Sequence, residues 1–201
     1  MPRQKQRTPE LRDRVVRAAV ELLATDGVAG FTTRRVADAA GTSIPAVYEL
    51  FGDRAGLVRE VYLEGFRLLR GRLDALNVTS DVQADLMLVV ADLRGYVRDN
   101  PALAQVMFER PFADYTPAAE EMRETAPVRE LFVGRVRRCV EAGVLAGNET
   151  DAAHVLLALA LGLAAQESAG WLGSSRASRD RRWALAFRAT LAGFAPEPAH
   201  R

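Results

Sequence analysis

The sequence has one cysteine and only two histidines among 201 residues. The side chains that most often build disulfides, metal sites and catalytic triads are therefore scarce. Cys139 has no second cysteine with which to form a disulfide or share a metal ion. No His-Glu helix motif and no glycine-rich phosphate loop is found either. These absences argue against an enzyme, a metal site and a bound cofactor.

Long apolar runs are also missing. The longest uncharged apolar stretch, residues 155–165, has 11 residues, whereas a helix that crosses a bilayer needs about 20. Near the start of the chain, charged residues occupy the place of the apolar core of a secretory signal peptide. We therefore expect no membrane partner and a cytoplasmic location.

Net charge is small as well. The formal charge at pH 7 is +1, which by itself favours no charged partner. The first 17 residues are an exception, because they carry six basic side chains, Arg3, Lys5 and Arg7 among them, against two acidic ones. This basic end fits either a surface that faces a polyanion or a solvated tail, and charge alone leaves both interpretations open.

Helix-forming residues dominate what remains. Hydrophobic residues make up 49% of the chain, enough to fill the core of one or two domains. Alanine and leucine are frequent, and apolar side chains recur three and four positions apart, which predicts an all-α fold. Proline, glycine and capping residues set the expected ends. The predicted helices cover residues 9–27, 33–40, 44–51, 54–76, 81–99, 102–109, 118–125, 127–142, 150–168 and 176–194, with Asp53 and Thr150 as N-caps of the fourth and ninth.

A short turn at Gly41 separates the predicted helices 33–40 and 44–51. Glycine permits the left-handed backbone of a sharp turn, and the small Ala37 lets the two helices cross closely. This arrangement is typical of a helix-turn-helix, in which the outer face of residues 44–50 would enter the DNA major groove. A plain helical hairpin has the same spacing, so that alternative stays open on spacing alone.

The stretch from Val15 to Val61 contains a longer pattern of residues around this turn. In order, it includes Ala18-Ala19, Asp26-Gly27, Phe31-Thr32-Thr33-Arg34-Arg35-Val36-Ala37, Ala40-Gly41-Thr42-Ser43, Val47-Tyr48, Phe51-Gly52-Asp53-Arg54 and Leu57. With every part in register, the stretch resembles the DNA-binding domain of the tetracycline-repressor (TetR) family.

This resemblance implies both an organisation and a function. The expected domains are an N-terminal three-helix helix-turn-helix domain over residues 1–52, a connecting helix over 53–76, and a larger helical ligand-binding and dimerisation domain over 77–201. The expected protein is a transcriptional regulator, normally a repressor. It would bind double-stranded DNA at a palindromic operator as a homodimer and be released by a small, largely apolar effector. The alternative is a helical ligand-binding or dimeric structural protein without DNA-binding activity.

The resemblance also implies DNA contacts at matching positions. Residues at the start of the second predicted helix and along the third, the recognition helix, would approach base edges. Tyr48 would bond a phosphate. Arg54 would bond another phosphate beside the N-terminus of the fourth helix. Leu50 departs from the family, which generally has histidine or tyrosine there, so Arg35 or the basic end would replace that contact. Tyr48 is alternatively a packing aromatic, and Arg35 a solvated charge. The implied set is Thr33, Arg34, Arg35, Ser43, Ile44, Pro45, Ala46, Tyr48 and Arg54.

Beyond residue 76 the pattern is less distinctive. Residues 100–112 resemble a segment of one TetR subgroup, which is named for a Trp-His-Gly (WHG) motif. Gly162 matches the glycine of that motif, whereas leucines stand where its tryptophan and histidine would be. Aromatic and methionine side chains suit an apolar effector pocket, although at helical spacing they also suit a plain core. The candidate pocket residues are Met87, Tyr96, Met107, Phe108, Phe112, Tyr115, Phe132, His154 and Trp171.

The last two predicted helices are expected to supply a dimer seam. Their apolar residues would meet their copies in a second chain, with small alanine and glycine residues permitting close packing. The alternative is that part of this run is core within one chain. The seam candidates are Val155, Leu156, Leu159, Leu163, Gln166, Leu185, Phe187 and Leu191.

Overall fold

The computed structural model describes residues 9–196, and every regular element in that range is an α-helix. The all-α prediction is therefore confirmed there. Arg3, Lys5 and Arg7 of the basic end lie outside the described residues. The helices of this range are α1 (Pro9–Gly30), α2 (Thr33–Ala39), α3 (Ile44–Phe51), α4 (Arg54–Asp74), α5 (Val82–Asp99), α6 (Pro101–Phe108), α7 (Ala119–Glu141), α8 (Glu149–Ser168) and α9 (Arg176–Gly193).

Two glycines mark helix ends that the sequence predicts. Gly27 has non-helical backbone angles (φ 65°, ψ −173°) and interrupts α1 where its end is expected. Gly52 has φ 83° and ends α3. Asp53 then accepts a hydrogen bond from the backbone N–H of Gly56 at 2.8 Å, which confirms it as the cap of α4.

Two predicted features of the second half are wrong. Residues 118–125 and 127–142 are not separate helices, because α7 runs through Pro127. A proline inside a helix gives up one backbone hydrogen bond and strains the preceding turn, and α7 tolerates both. The cap of α8 is Asn148, not Thr150. The amide oxygen of Asn148 accepts from the N–H groups of Thr150 and Asp151 at 2.9 and 3.0 Å, so the cap lies two residues earlier than predicted.

The described residues group into two compact units. The first unit contains residues 9–68 and Asn100–Thr125, and the second contains Leu69–Asp99 and residues 126–196. This grouping follows contacts, whereas the division expected from the sequence, at residues 52 and 76, follows chain order. It places α6 with the helix-turn-helix and gives α4 residues to both units.

The core of the first unit fixes the three N-terminal helices. One apolar face of each helix and of the early turns of α4 is buried, and each buried valine or leucine contributes about 1.5–3 kcal/mol of hydrophobic stabilisation. α1 also packs against α6. The side chains with no measurable exposure are Val15, Ala19, Val36, Val47, Leu57, Val58 and Val61.

A polar network ties α5, α8 and α9 together in the second unit. Arg94 of α5 donates two hydrogen bonds to Glu167 of α8, at 2.7 and 2.9 Å. Trp183 of α9 donates its indole N–H to the same carboxylate at 2.8 Å. The hydrogen bonds from Arg94 hold the pKa of Glu167 below its ordinary value. The Glu167 carboxylate of α8 thus forms hydrogen bonds to both α5 and α9.

Candidate nucleic-acid interface

The turn between α2 and α3 has the geometry of a helix-turn-helix. Gly41 adopts φ 62°, in the left-handed region that glycine tolerates best. The Thr42 N–H donates to the Ala37 carbonyl at 2.9 Å, which closes the end of α2. Ala37 is 1% exposed, as a small residue in a helix crossing would be.

α3 has one buried face and one open face. Ala46 and Val47 are buried, whereas Pro45, Tyr48 and Glu49 are exposed and Ile44 is half-buried. Tyr48 has 42% of its surface exposed, so part of its side chain packs on the protein and part faces solvent. The open face of α3 is therefore formed by residues one turn apart, as a helix that enters a groove requires.

Ser43, the N-cap of α3, is half-buried. The hydroxyl of Ser43 accepts a hydrogen bond from the Ala46 N–H at 3.3 Å, so that side chain is partly committed to the helix. Ala46 itself is 6% exposed. Although the resemblance implies a base contact at Ala46, its methyl group points into the protein, and we leave it out of the proposed interface.

α2 presents a single uncommitted cation at its start. Arg34 is exposed and, among residues 9–196, forms no hydrogen bond or ion pair. Thr33 is 8% exposed, too buried for its side chain to reach a base edge. Arg35 forms an ion pair with Asp26 and donates to the Gly30 carbonyl at 3.3 Å. Arg35 is therefore neither a purely solvated charge nor a free replacement for the contact missing at Leu50.

Arg54, at the start of α4, is held by two residues that lie about 60 positions later in the chain. Its Nη1 atom donates to both carboxylate oxygens of Asp114 at 2.5 Å. Its guanidinium lies 4.7 Å from the ring centroid of Phe112, within cation–π range. The hydrogen bond from Arg54 lowers the pKa of Asp114 below its ordinary value. Sequence reasoning missed Asp114, because nothing in the local pattern joins residues so far apart.

Four of the candidate pocket residues belong to the first unit, and two of them, Phe108 and Tyr115, form an aromatic cluster with Tyr62 and Phe66. Phe108 contacts Phe66 at 5.6 Å between ring centroids, and Tyr115 contacts Tyr62 at 5.8 Å. Tyr62 and Phe66, both on α4, were not among the predicted pocket residues. Phe112 instead packs on Phe31, with ring centroids 5.2 Å apart. Met107, 5% exposed, completes the set beside α4.

The hydroxyl of Tyr115 is the notable polar atom of this cluster. It is buried and has no hydrogen-bond partner among the described residues. Burial, reinforced by the negative charge of nearby Glu121, raises the pKa of Tyr115, so this hydroxyl stays protonated. Glu121 is itself engaged, by Arg59 at 2.6 Å and by the Ala118 N–H at 2.6 Å. The cluster therefore offers one buried hydrogen-bond donor that has no partner among the described residues.

The other five pocket candidates lie in the second unit and do not form one site. Phe132 and His154 line a cavity of about 10 Å³, enough for one water molecule at most. His154 is exposed, and its Nδ1 lies 2.7 Å from the Thr150 carbonyl, so it is not a core histidine. Trp171 is 81% exposed, which does not fit the wall of a pocket. Tyr96 is 2% exposed and belongs to the core, and Met87 is half-buried.

The seam candidates on α8 and α9 differ in burial. Leu156, Phe187 and Leu191 are 0%, 2% and 9% exposed and belong to the core of their own chain. Val155 and Leu185 are 47% and 60% exposed. Leu159 and Leu163 are half-buried, and Gln166 is exposed. Val155, Leu159 and Gln166 fall on one stripe of α8, and this stripe is open to solvent.

Other classes of site find no support in residues 9–196. No group of three or more histidine, cysteine, aspartate or glutamate side chains in that range is arranged to hold a metal ion. None of the described helices is long and apolar enough to span a membrane.

Comparison with known proteins identifies the two halves of the chain. Residues 15–61 match the profile of the bacterial regulatory proteins of the tetR family, and residues 86–191 match the tetracyclin repressor-like C-terminal domain. The WHG subgroup stays a prediction.

Individual relatives agree with these matches. The chain is 26% identical to the tetracycline repressor protein class C of Escherichia coli over 173 residues, which are 85% of this chain and 72% of the repressor. It is 26% identical over 152 residues, 74% of this chain and 78% of the relative, to an uncharacterised HTH-type transcriptional regulator, YvkB, of Bacillus subtilis. A solved structure of a protein of unknown function from Rhodococcus sp. RHA1 has a TM-score of 0.78 at 23% identity, covering 96% of this chain and all of that one. The chain therefore belongs to the TetR family of DNA-binding transcriptional regulators, which are not enzymes.

Proposed function

We propose that this protein is a cytoplasmic repressor that binds a palindromic operator as a homodimer and leaves it when a small, largely apolar effector binds. The observation that carries the proposal is the division of the helix-turn-helix into a buried apolar face and an open face. Arg34 of α2 and Pro45 and Tyr48 of α3 are all exposed.

The proposed DNA interface assigns different tasks to the exposed side chains. Arg34 reaches a base edge, where a guanidinium pairs well with guanine. Ile44 and Pro45 pack against bases, and Tyr48 bonds a phosphate, which positions the protein without reading sequence. Arg54 reaches phosphate through the guanidinium nitrogens that Asp114 does not use, since only Nη1 is engaged there.

A homodimer is proposed because one short helix reads only a few base pairs. Two copies related by a two-fold axis would occupy successive major grooves about 34–36 Å apart. The open stripe of α8, with Val155, Leu159 and Gln166, and the exposed Leu185 of α9 supply apolar surface for a symmetric contact.

The effector is proposed to bind at the aromatic cluster of the first unit. The ring faces suit an apolar ligand body, and the unpaired hydroxyl of Tyr115 suits one hydrogen-bond acceptor on that ligand. Tyr62 and Phe66 of the cluster lie on α4, the helix that begins with Arg54. A ligand that favours a different placement of α4 would therefore weaken DNA binding, and DNA would weaken ligand binding by the same factor.

Selection from a library of random DNA duplexes tests the DNA part. Wild-type protein should enrich an inverted repeat whose half-site centres lie about one helical turn apart. A sample of folded protein that enriches no sequence and shifts no duplex would instead support the helical ligand-binding or structural protein without DNA-binding activity.

A two-step titration tests the effector part. Apolar compounds that raise the melting temperature are titrated against the selected duplex, and the expected coupling is about 5- to 150-fold in DNA affinity. Tyr115→Phe should weaken binding of compounds that carry an acceptor and leave fully apolar ones unaffected. If every stabilising compound leaves DNA affinity unchanged, the chain has no sensor function of this kind.

A further inference from the structure

Three arginines of α1 belong to the basic end, yet they have different surroundings. Nη1 of Arg12 donates to the Leu50 carbonyl at 3.0 Å. Nε of Arg14 donates to the Ala40 carbonyl at 3.0 Å. Arg17, one turn beyond Arg14, is exposed and has no hydrogen bond or ion pair with the residues that the structure describes.

Both carbonyls lie at the C-terminal ends of the helix-turn-helix helices. Ala40 is the C-cap residue of α2, and Leu50 lies in the last turn of α3. The last four carbonyls of a helix lack a partner within that helix, and the helix dipole favours a cation there. Hydrogen bonds from a charged donor are also stronger than neutral ones. Arg12 and Arg14 therefore satisfy α3 and α2 at the points where these helices need a donor.

Arg12 is itself fixed from two further sides. Its guanidinium lies 4.8 Å from the ring centroid of Phe51 at the end of α3. Its Nη2 atom lies 2.7 Å from Glu60 of α4, whose side chain is only 12% exposed. One side chain of α1 therefore joins the end of the recognition helix to α4.

α3 needs such support because its own packing is slight. Of its eight residues only Ala46 and Val47 are buried, and both lie in its first half. A helix of about two turns that is anchored at one end can tilt at the other, and base recognition tolerates errors of only about 0.5 Å or 10–20°. The arginine contacts lie where this tilt would occur, at Leu50, and in the turn before α3, at Ala40.

We propose that Arg12 and Arg14 are positioning residues for DNA recognition, which hold α3 at the angle its base contacts require without themselves touching DNA. The inference rests on the proposed DNA-binding function. It assigns Arg12 and Arg14, two arginines of the basic end, to contacts within the protein and leaves Arg17 as the α1 arginine free to meet phosphate.

The test compares Arg12→Ala, Arg14→Ala and Arg17→Ala with wild type, using the duplex enriched by wild-type protein and a scrambled duplex of equal length. Affinity for both is measured over a range of salt concentrations. Arg12→Ala and Arg14→Ala should lower the ratio of specific to scrambled affinity about tenfold, because a charged hydrogen bond that sets the angle of α3 is lost. Their salt slopes should match wild type. Arg17→Ala should keep the ratio.

Arg12→Lys and Arg14→Lys keep the experiment informative if an alanine variant does not fold. Lysine retains the charge and has one donor nitrogen in place of three, so Arg14→Lys should recover most of the specificity, and Arg12→Lys should recover less because Arg12 makes three contacts. Circular dichroism and melting curves identify the folded variants.

The outcomes separate this inference from the function on which it rests. If wild-type protein binds no duplex specifically, the proposed function fails. If wild type is specific but the folded Arg12 and Arg14 variants keep its specificity ratio, the positioning role is refuted. A fall in salt slope of about 0.9 per lost phosphate contact in those variants would also refute it, because it would show direct contact with DNA.

Discussion

At the scale of single residues, the interface separates side chains that are free to meet DNA from those already engaged. Arg34 and Tyr48 are exposed on α2 and α3, whereas Arg35 and Arg54 are paired with Asp26 and Asp114. An exposed ion pair contributes about 0–1 kcal/mol, so phosphate can replace such a partner at little expense. Arg34 and Tyr48 should therefore contribute most of the DNA affinity, and Arg35 and Arg54 should contribute less.

Replacing Arg34 and Tyr48 should have different consequences. Arg34→Ala should cost about 1–3 kcal/mol per half-site on the preferred operator and relax the sequence preference, because a base contact is lost. Tyr48→Phe should weaken binding to all duplexes alike, because a phosphate bond carries no sequence information. Selection experiments on both variants, with Glu21→Gln at an exposed position of α1 as the control, measure the profiles. Identical profiles for the two variants would contradict this division.

Removing the unpaired hydroxyl of Tyr115 should stabilise the protein. Leaving a buried donor without a partner costs about 1–3 kcal/mol, so Tyr115→Phe should raise the free energy of unfolding by about 1 kcal/mol. Tyr62→Phe is the matched control, because the Tyr62 hydroxyl lies 3.5 Å from Thr125 Oγ1 and its loss should not stabilise. Urea unfolding compares the three proteins. A less stable Tyr115→Phe variant would show that the hydroxyl has a partner, such as water.

At the scale of helices and loops, buried charge joins elements that share no local pattern. Asp85 of α5 is 3% exposed and accepts a hydrogen bond from Arg138 of α7 at 2.6 Å. It also accepts from the N–H and the hydroxyl of Thr79, both at 2.8 Å, which fixes the loop before α5. The bond from Arg138, followed by that from the Thr79 N–H, lowers the pKa of Asp85 to about 2.

This shifted pKa predicts a window of acid sensitivity. Because the pKa falls from 3.8 to about 2 on folding, the stabilisation is complete above pH 4 and is lost as the pH falls toward 2. Asp85→Asn should therefore lower the melting temperature by several degrees at pH 7, and its difference from wild type should shrink between pH 4 and 2. Asp74→Asn, in an exposed pair with Arg70, is the control. A difference that persists at pH 2 would show that the charge of Asp85 does not contribute.

The sequence predicts a helix start where a capping residue precedes the helix. It does not predict pairings between residues that are far apart in the chain. Asp53 is both a capping residue and the neighbour of Gly52, so local chemistry is sufficient there. Pro127 misled the prediction because proline usually ends a helix, whereas α7 continues through it. In the site, exposed Tyr48 follows from helical spacing, whereas the partner of Arg54 lies 60 residues away. Arg12 and Arg14 looked like free cations because only the fold brings carbonyls to them.

At the scale of the whole molecule, assembly and DNA binding are expected to be linked. If the open stripe of α8 and Leu185 of α9 meet a second copy, two recognition helices acquire a fixed spacing. A single copy would keep only half of the contacts, so loss of the dimer should appear as loss of operator affinity.

Charged substitutions on this surface test that link. Val155→Glu and Leu185→Glu should shift the protein from dimer to monomer in analytical ultracentrifugation at micromolar concentration, because each buries an unpaired carboxylate in the contact. Operator affinity should fall with them. Val78→Glu, at a 64% exposed position in the loop before α5, should change neither. Wild-type protein that sediments as a monomer in the presence of operator would disprove the dimer.

The two tryptophans of the chain give it a built-in pair of optical reporters. Trp171 is 81% exposed, whereas Trp183 is 5% exposed and lies parallel to Phe187 with ring centroids 5.8 Å apart. A dissolved quencher such as acrylamide should therefore extinguish the red-shifted emission of Trp171 and leave the emission of Trp183 until the second unit unfolds. Unlabelled protein can thus report, at two wavelengths, on the surface and on the core of the same unit.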